Sequence, residues 1–411
     1  MEKTPVQRIQ WQRVAGVTAV QGSITLAWVI YALYLPQLLT EMGLAKELAG
    51  LLLMIEHALE VIIEPITGSL SDRAQWQLGT RFSIITPGTI LTSALFIALP
   101  TVVVFGKAVP WLLPVIAVLW ASAMAIFRSP AITLLGKAAP PLELPLASSC
   151  LTLVQQLIGS LRFSVYGIIL SFGAGWAFAI GSLVLLGAVA FLRWTAPPEA
   201  PGSLSVTQTV VEEFEQPNPS PTNPIKLPTT ILMVGVAVGL GWGLRFLFAA
   251  LGGQFAILLG GEQVGLGMLG FSLILALSAL PAGRLATWLG NSLTMMSGAI
   301  ATAILAVGLV FISQTALWVV GLVVMGFALS TVLNGSVPLV LSAFPSDRSG
   351  LGLGIYFGAF GGGISFFDAI FKPLKTDVII QASGAGLALL LAFGCIAIAR
   401  QFIASPATES A

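Results

Sequence analysis

Long apolar stretches recur along the whole chain, and they limit its fold more than any other feature. A helix that crosses the hydrocarbon core of a bilayer needs about 20 mostly apolar residues. Twelve stretches fit that length, and they lack the alternation of barrel strands. The sequence therefore predicts an all-α membrane protein with spans at 14–39, 47–67, 82–105, 109–128, 146–170, 173–193, 229–251, 264–282, 292–312, 316–341, 350–371 and 378–400.

The composition agrees with this fold class and excludes several functions. Hydrophobic residues make up 56% of the 411 residues and charged residues only 9%, whereas soluble proteins contain about 25% charged residues. A net charge of +1 gives no basis for a nucleic-acid partner. The sequence has no Walker loop, zinc-ligand spacing or Ser–His–Asp set. We therefore expect no enzyme activity, no metal and no cofactor.

One long polar interval, 194–228, divides the apolar stretches into six and six. It is rich in proline and contains several glutamates, a composition that cannot bury a core. We therefore expect a six-helix bundle at 1–193, a flexible linker at 194–228 and a second six-helix bundle at 229–411. Two sets of six spans indicate pseudo-repeated halves.

The placement of lysine and arginine predicts the orientation in the membrane. If the N-terminus is cytoplasmic, most of the 18 Lys and Arg residues fall in segments on the inner side. Both termini and the linker are then cytoplasmic. We expect a monomeric multi-pass protein in the lipid bilayer of the inner (plasma) membrane, with a thylakoid membrane as the other option.

The second predicted span carries three carboxyl groups that an apolar helix does not need. Glu56, Glu60 and Glu64 are spaced i, i+4, i+8, so they share one helix face. Their row is about 12 Å long. It cannot face lipid and must face the interior of the bundle or water. His57, the single histidine, lies about 100° around the helix from Glu56, and we expect it to have a packing or interfacial role.

The residues that follow this span resemble a known motif. Gly68-Ser69-Leu70-Ser71-Asp72-Arg73, with Gly79 and Arg81 behind it, looks like the motif between helices 2 and 3 of the major facilitator superfamily. The resemblance implies two six-helix bundles and alternating access. It also implies a charged loop here that latches against neighbouring helix ends in one access state. The implied latch residues are Gly68, Asp72, Arg73, Gly79 and Arg81.

The spacing of this motif points to a particular branch. The interval Ala74–Leu78 is longer than usual, and in this it is similar to the glycoside–pentoside–hexuronide cation symporters and sucrose–proton carriers. Bacteriochlorophyll-delivery proteins share this longer interval. Upstream, Glu60-x-x-x-Glu64-Pro65-x-x-Gly68 resembles the symporters' D-x-x-x-D-P-x-x-G, whose two acids belong to the coupling-cation site.

The chain departs from the symporters at Arg128-Ser129-Pro130. In the symporters an acid stands before x-Pro at this place and completes the cation site. An arginine there fits an ion pair with Glu60 or Glu64. The resemblance therefore implies a coupling site of Glu56, Glu60, Glu64 and Arg128 that favours a proton over sodium, or no coupling.

Other polar side chains inside the spans are candidates for a solute cavity. The two arginines among them fit either an anionic solute, which a guanidinium binds through two hydrogen bonds, or internal salt bridges. The candidates are Gln155, Gln156 and Arg162 on the fifth span, Trp242 and Arg245 on the seventh, and Asn334 on the tenth.

Two functions follow from these observations. The first is secondary active transport of a small solute by alternating access, coupled to protons through the carboxyl groups of the second span. The alternative is a membrane protein that delivers pigment or assembles photosynthetic complexes and does not transport. The degenerate second-half motif, Gly283-Arg284-Leu285, and Arg128 both fit the alternative. The class of solute stays open between sugars, hydrophobic compounds and anions.

Overall fold

The computed structural model describes residues 8–106, 108–164, 166–197, 226–371 and 377–404. Helices account for nearly all of these residues, and no strand occurs among them. The helices are α1 Trp11–Glu41, α2 Leu48–Leu78, α3 Phe82–Phe105, α4 Leu112–Thr133, α5 Leu144–Ser164, α6 Tyr166–Ser171, α7 Ala174–Thr195, α8 Leu227–Leu259, α9 Val264–Leu289, α10 Asn291–Gly308, α11 Thr315–Ala343, α12 Ser349–Ile370 and α13 Val378–Ala404.

The helices account for the twelve spans expected from the sequence. Within the described ranges, eleven helices are long and apolar enough to cross a membrane. The twelfth is α2, which is as long as α1 at 31 residues but carries the three glutamates. The fifth span contains α5 and the short α6. The predicted all-α membrane fold is confirmed. Most of the predicted linker, 198–225, lies outside the described residues.

The end of α2 corrects the prediction of a charged loop around Asp72 and Arg73. The helix continues through both residues to Leu78, because no glycine or proline occurs between Gly68 and Gly79 to break it. It ends at Gly79, whose φ of 67° is a left-handed conformation that glycine adopts without strain. The turn to α3 is therefore only three residues long. The sequence marked where the apolar segment ends, which is not where the helix ends.

The two halves repeat one packing pattern. In the first half, α1 packs on α7, α2 on α4, and α3 on both α4 and α7. In the second half, α8 packs on α13, α9 on α11, and α10 on both α11 and α13. The halves meet mainly where α2 packs on α12 and α5 on α9. Pseudo-repeated halves are thus present in the contacts as well as in the count of spans.

Glycines bring α12 onto the backbone of α2, and we call this contact the glycine seam. A Cβ atom on Gly354 would lie 2.9 Å from the Cα of Pro65, and one on Gly358 would lie 2.8 Å from the carbonyl oxygen of Glu60. Small residues at four-residue spacing allow such close packing of membrane helices. The seam places α12 directly over the glutamate-bearing part of α2.

Candidate functional site

The three glutamates of α2 lie on one buried face. Glu56, Glu60 and Glu64 are 1%, 4% and 0% exposed, as their four-residue spacing predicts for a face that points into the bundle. Pro65 follows them inside the helix. A proline is tolerated within a membrane helix because neighbouring helices can satisfy the backbone groups that it frees. The face is enclosed by α4 and by α12, so groups from both halves surround it.

Arg128 of α4 binds two of these carboxyl groups at once. Its Nε lies 2.7 Å from Glu64 Oε1, and its Nη2 lies 2.9 Å from Glu60 Oε2. The guanidinium carbon is 5.1 Å from the centre of the Phe357 ring, a cation–π distance. Since Phe357 belongs to α12, the second half covers an ion pair that the first half makes. We call Glu60, Glu64 and Arg128, with His57, the glutamate cluster.

His57 joins this cluster at its edge. Its Nδ1 lies 3.4 Å from Glu60 Oε1, although the geometry does not fit a hydrogen bond. The imidazole also stacks on Trp28, with 5.6 Å between ring centres, which agrees with the expected packing role. The side chain is 20% exposed, so it is the most open member of the cluster.

Glu56 has a separate environment. The hydroxyl of Tyr31 donates a hydrogen bond to Oε1 of Glu56, while Oε2 is buried with no partner among the described atoms. The ring of Tyr31 packs on Trp28 and Trp120. The sequence prediction included none of these aromatic residues. The available signal was their position in mid-span, since tryptophan and tyrosine usually lie at the membrane interfaces.

The charges of the glutamate cluster do not balance. Two ionised carboxylates and one guanidinium leave one excess negative charge when His57 is neutral. A buried net charge is costly, and one bound proton or one further cation restores neutrality. Over the described residues, no set of three or more His, Cys, Asp or Glu side chains is arranged to hold a metal ion. A bound proton is thus one way in which the cluster becomes neutral.

A second group of polar contacts joins the halves at the end of α2. Asp72 accepts hydrogen bonds from the backbone N–H groups of Gly350, at 2.9 Å, and Leu351, at 2.8 Å. These amides belong to the first turn of α12, where a carboxylate is favoured by the free N–H groups and the helix dipole. Arg81 completes the group, with Nη2 2.7 Å from Asp72 Oδ1. We call these four residues the Asp72 cluster.

The five predicted latch residues do not all contribute in the same way. Asp72 and Arg81 contact the second half, where Arg81 also donates to Ser349 Oγ at 3.2 Å. Gly68 packs against the backbone of Gly350, and Gly79 forms the turn. The structure leaves Arg73 exposed and outside this contact. The sequence motif gave no sign of the partners on α12.

The six predicted cavity residues are not gathered in one place. Asn334 is buried and donates a hydrogen bond to the carbonyl oxygen of Ala279 at 2.7 Å, so it joins α11 to α9. Gln155 is exposed and Gln156 half-buried, and as neighbours on a helix they face different directions. The two best-defined cavities among the described residues, of about 20 and 10 Å³, include none of the six.

Of the other three, Trp242 and Arg245 in the middle of α8 contact the C-terminal part of α12, and Arg162 lies near the end of α5. Arg245 forms an ion pair with Asp368, with Nη2 and Oδ2 2.9 Å apart. Arg162 lies 4.5 Å from the ring centre of Phe163, and Phe163 packs against the buried apolar cluster of the second half that includes Phe246. Trp242 donates from Nε1 to the carbonyl oxygen of Gly363 at 2.8 Å.

Two six-helix halves meet along α2–α12 and α5–α9, with buried ionisable groups at the first contact, an arrangement typical of multi-pass secondary transporters. The family model for the Major Facilitator Superfamily matches residues 17–367. The chain belongs to this superfamily, which confirms the family that the motif resembled. The finer assignment to a symporter or pigment-delivery branch stays a prediction.

Solved structures with the same fold are similar over nearly the whole chain, and each comparison covers 96% of this chain. A bacterial homologue of the iron transporter ferroportin in an outward-facing state has 15% identity, 100% coverage of that chain and a TM-score of 0.70. The human organic anion transporter MFSD10 (TETRAN) has 16% identity, 100% coverage and a TM-score of 0.68. The transporter FucP in the outward conformation has 12% identity, 99% coverage and a TM-score of 0.68. No curated protein sequence matches the chain.

Proposed function

We propose that this protein moves a small solute across the membrane by alternating access and that the glutamate cluster carries the coupling proton. The observation that carries the proposal is the pairing of two buried carboxyl groups, Glu60 and Glu64, with the single guanidinium of Arg128. Because a buried net charge is costly, the excess negative charge favours the binding of one proton by this cluster. Buried carboxyl groups in transporters commonly serve as proton relays.

The place of the cluster in the fold supports coupling. It lies under the glycine seam, where Phe357 of the second half covers Arg128 of the first. Separation of α2 from α12 at this level would let water reach the cluster and stabilise its charged form. Proton binding and the arrangement of the halves are then linked, because each favours one state of the other.

Arg128 also bears on the choice of ion. Its guanidinium lies between the two carboxyl groups, within 2.9 Å of each, and thus occupies the space where a sodium ion would bind. A proton needs no such space. The proposal is therefore proton coupling rather than sodium coupling.

With the N-terminus cytoplasmic, the Asp72 cluster closes the cytoplasmic end in this arrangement. The prediction of pigment delivery or complex assembly gains no support from the family match or from the site.

The proposal is tested with purified protein in liposomes that enclose a pH-sensitive dye. A panel of sugars, organic anions and hydrophobic compounds is added, and proton movement is recorded together with solute uptake. We expect at least one solute to drive proton movement in the wild type, and the Glu60→Gln and Glu64→Gln variants to lose it.

A glutamate outside the bundle provides the matched control. Glu41 lies exposed at the end of α1, so Glu41→Gln should retain proton movement. Uptake of a solute with no proton movement, at equal rates in the wild type and in both cluster variants, would contradict proton coupling.

A further inference from the structure

Two guanidinium groups from opposite halves lie in the half of the bundle farther from the Asp72 cluster. Arg162 is near the end of α5, and Arg245 is in α8 beside Asp368 of α12. Asp368 lies 17 residues beyond Leu351, which is about 26 Å along α12 at 1.5 Å per residue. Phe163, the residue after Arg162, packs against the buried apolar cluster of the second half that includes Phe246, the residue after Arg245, and the positive charges of the two arginines repel each other. This repulsion acts across the boundary between the two halves.

The net charge of Arg162, Arg245 and Asp368 together is positive. Asp368 is 10% exposed and binds Arg245 through one nitrogen, Nη2, while the Nε of Arg245 is buried with no hydrogen-bond partner among the described atoms. Within the described ranges no carboxylate lies at ion-pair distance from Arg162. Two guanidinium groups and one carboxylate leave a net charge of +1. Guanidinium groups in a membrane helix do not face lipid, and the Arg245 side chain is 40% exposed, so this group borders an aqueous space.

Aromatic rings form the rest of the surroundings. Trp242 lies one turn before Arg245 on the same helix face and stacks on Phe366, with 5.6 Å between ring centres and 7° between planes. Phe371 meets Trp242 edge to face at 5.6 Å. The indole N–H of Trp242 already has an acceptor, Gly363, so the tryptophan offers only apolar ring surface.

We infer that the transported solute is an organic anion with an aromatic body, whose carboxylate binds between Arg162 and Arg245. The inference rests on the proposed transport function and names its solute. A carboxylate accepts paired hydrogen bonds from a guanidinium, and the rings beside it suit an aromatic body. Binding replaces the repulsion between the two arginines with attraction to a shared anion, which draws the two halves together at this end.

Binding to the purified protein, measured by calorimetry without any pH gradient, tests the inference. The probes are 1-naphthoate and 1-naphthamide, which have the same ring system but differ in charge. We expect saturable binding of 1-naphthoate and at least tenfold weaker binding of 1-naphthamide. Arg162→Gln and Arg245→Gln should each weaken 1-naphthoate binding about tenfold or more, the value of one hydrogen bond to a charged group.

Three further proteins make the test decisive. Arg245→Lys, which keeps the positive charge, should bind better than Arg245→Gln, and this separates loss of charge from misfolding. Arg400→Gln, at an exposed arginine near the end of α13, should bind as the wild type does. Glu64→Gln should retain 1-naphthoate binding while losing proton-driven uptake, so failure of proton coupling is distinguishable from failure of the anion site. Equal binding of the two probes, no binding of either, or wild-type affinity in both glutamine variants at Arg162 and Arg245 would overturn the inference.

Discussion

Removal of the Asp72 carboxylate should open the contact between α2 and the first turn of α12. In the Asp72→Ala variant, the N–H groups of Gly350 and Leu351 lose acceptors at 2.9 and 2.8 Å. Arg81 loses its carboxylate partner at 2.7 Å. These groups are buried or partly buried in the closed contact, but water can satisfy them once the helices separate. The substitution therefore destabilises the closed arrangement more than an open one.

The size of the effect follows from these contacts. A hydrogen bond to a charged group contributes about 1.5–3 kcal/mol, so the two amide bonds together contribute about 3–6 kcal/mol. Every 1.4 kcal/mol changes an equilibrium about tenfold. The ratio of closed to open protein should therefore fall by a factor on the order of 10² to 10⁴. The ion pair with Arg81 adds to this value, so a fall of about 10²-fold is the minimum expected.

Hydrogen–deuterium exchange measured by mass spectrometry reports the change directly. Peptides from the last turns of α2 and the first turns of α12 should exchange faster in Asp72→Ala, since exchange follows the population of the open state. Arg73→Ala is the matched control, because Arg73 is the next residue on the same helix and is exposed. Wild-type exchange in both sets of peptides of the Asp72→Ala variant would refute the assignment of Asp72 as the group that closes this end.

Three further substitutions probe the seam and the buried carboxyl groups. Gly358→Ala should lower the free energy of unfolding by about 1–3 kcal/mol, because the new Cβ would lie 2.8 Å from a backbone oxygen of α2. Gly394→Ala, with no atom of another described helix within 4 Å of its Cβ, should not destabilise the protein. Equal melting temperatures for the two variants would argue against close packing at the seam. Arg128→Met leaves two buried carboxyl groups without a cation and should lower the free energy of unfolding by about 3–5 kcal/mol. This loss of stability should be smaller in mildly acidic than in mildly alkaline buffer, since protonated carboxyl groups carry no charge. A loss that does not depend on pH would mean that the carboxyl charges are not the cause. Tyr31→Phe removes the hydrogen bond to a buried carboxyl group and should lower the free energy of unfolding by about 1–3 kcal/mol, which a wild-type unfolding curve would contradict.

The sequence predicted the features that depend on local spacing. The length of the apolar stretches predicted the helices, and the four-residue spacing of Glu56, Glu60 and Glu64 predicted their common buried face. The motif at Asp72 and Arg81 predicted a contact with a neighbouring helix end. Each of these properties follows from helix geometry or from a motif of adjacent residues, so a single sequence contains them.

The partners of these groups could not be predicted in the same way. Asp72 bonds to backbone amides 278 and 279 positions away, and a backbone amide has no signature in a sequence. The pairing of Tyr31 with Glu56 joins two apolar helices, with no feature that selects this tyrosine. The helical continuation of α2 through Asp72 and Arg73 was missed because hydropathy marks the edge of the membrane, not the last hydrogen bond of a helix.

The glycine seam has a consequence for the entropy of any movement between the halves. Most side chains lose rotamer freedom when they are packed, and long ones lose up to about 2 kcal/mol each. Glycine has no rotamers, so Gly350, Gly354 and Gly358 can meet and leave α2 without any side chain of their own becoming ordered or released. Along this face of α12 the balance between joined and separated helices then depends mainly on contact energy and on water, and far less on side-chain order. The loss of side-chain entropy on joining should for that reason be smaller along the α12 face than at an interface of interlocking leucines.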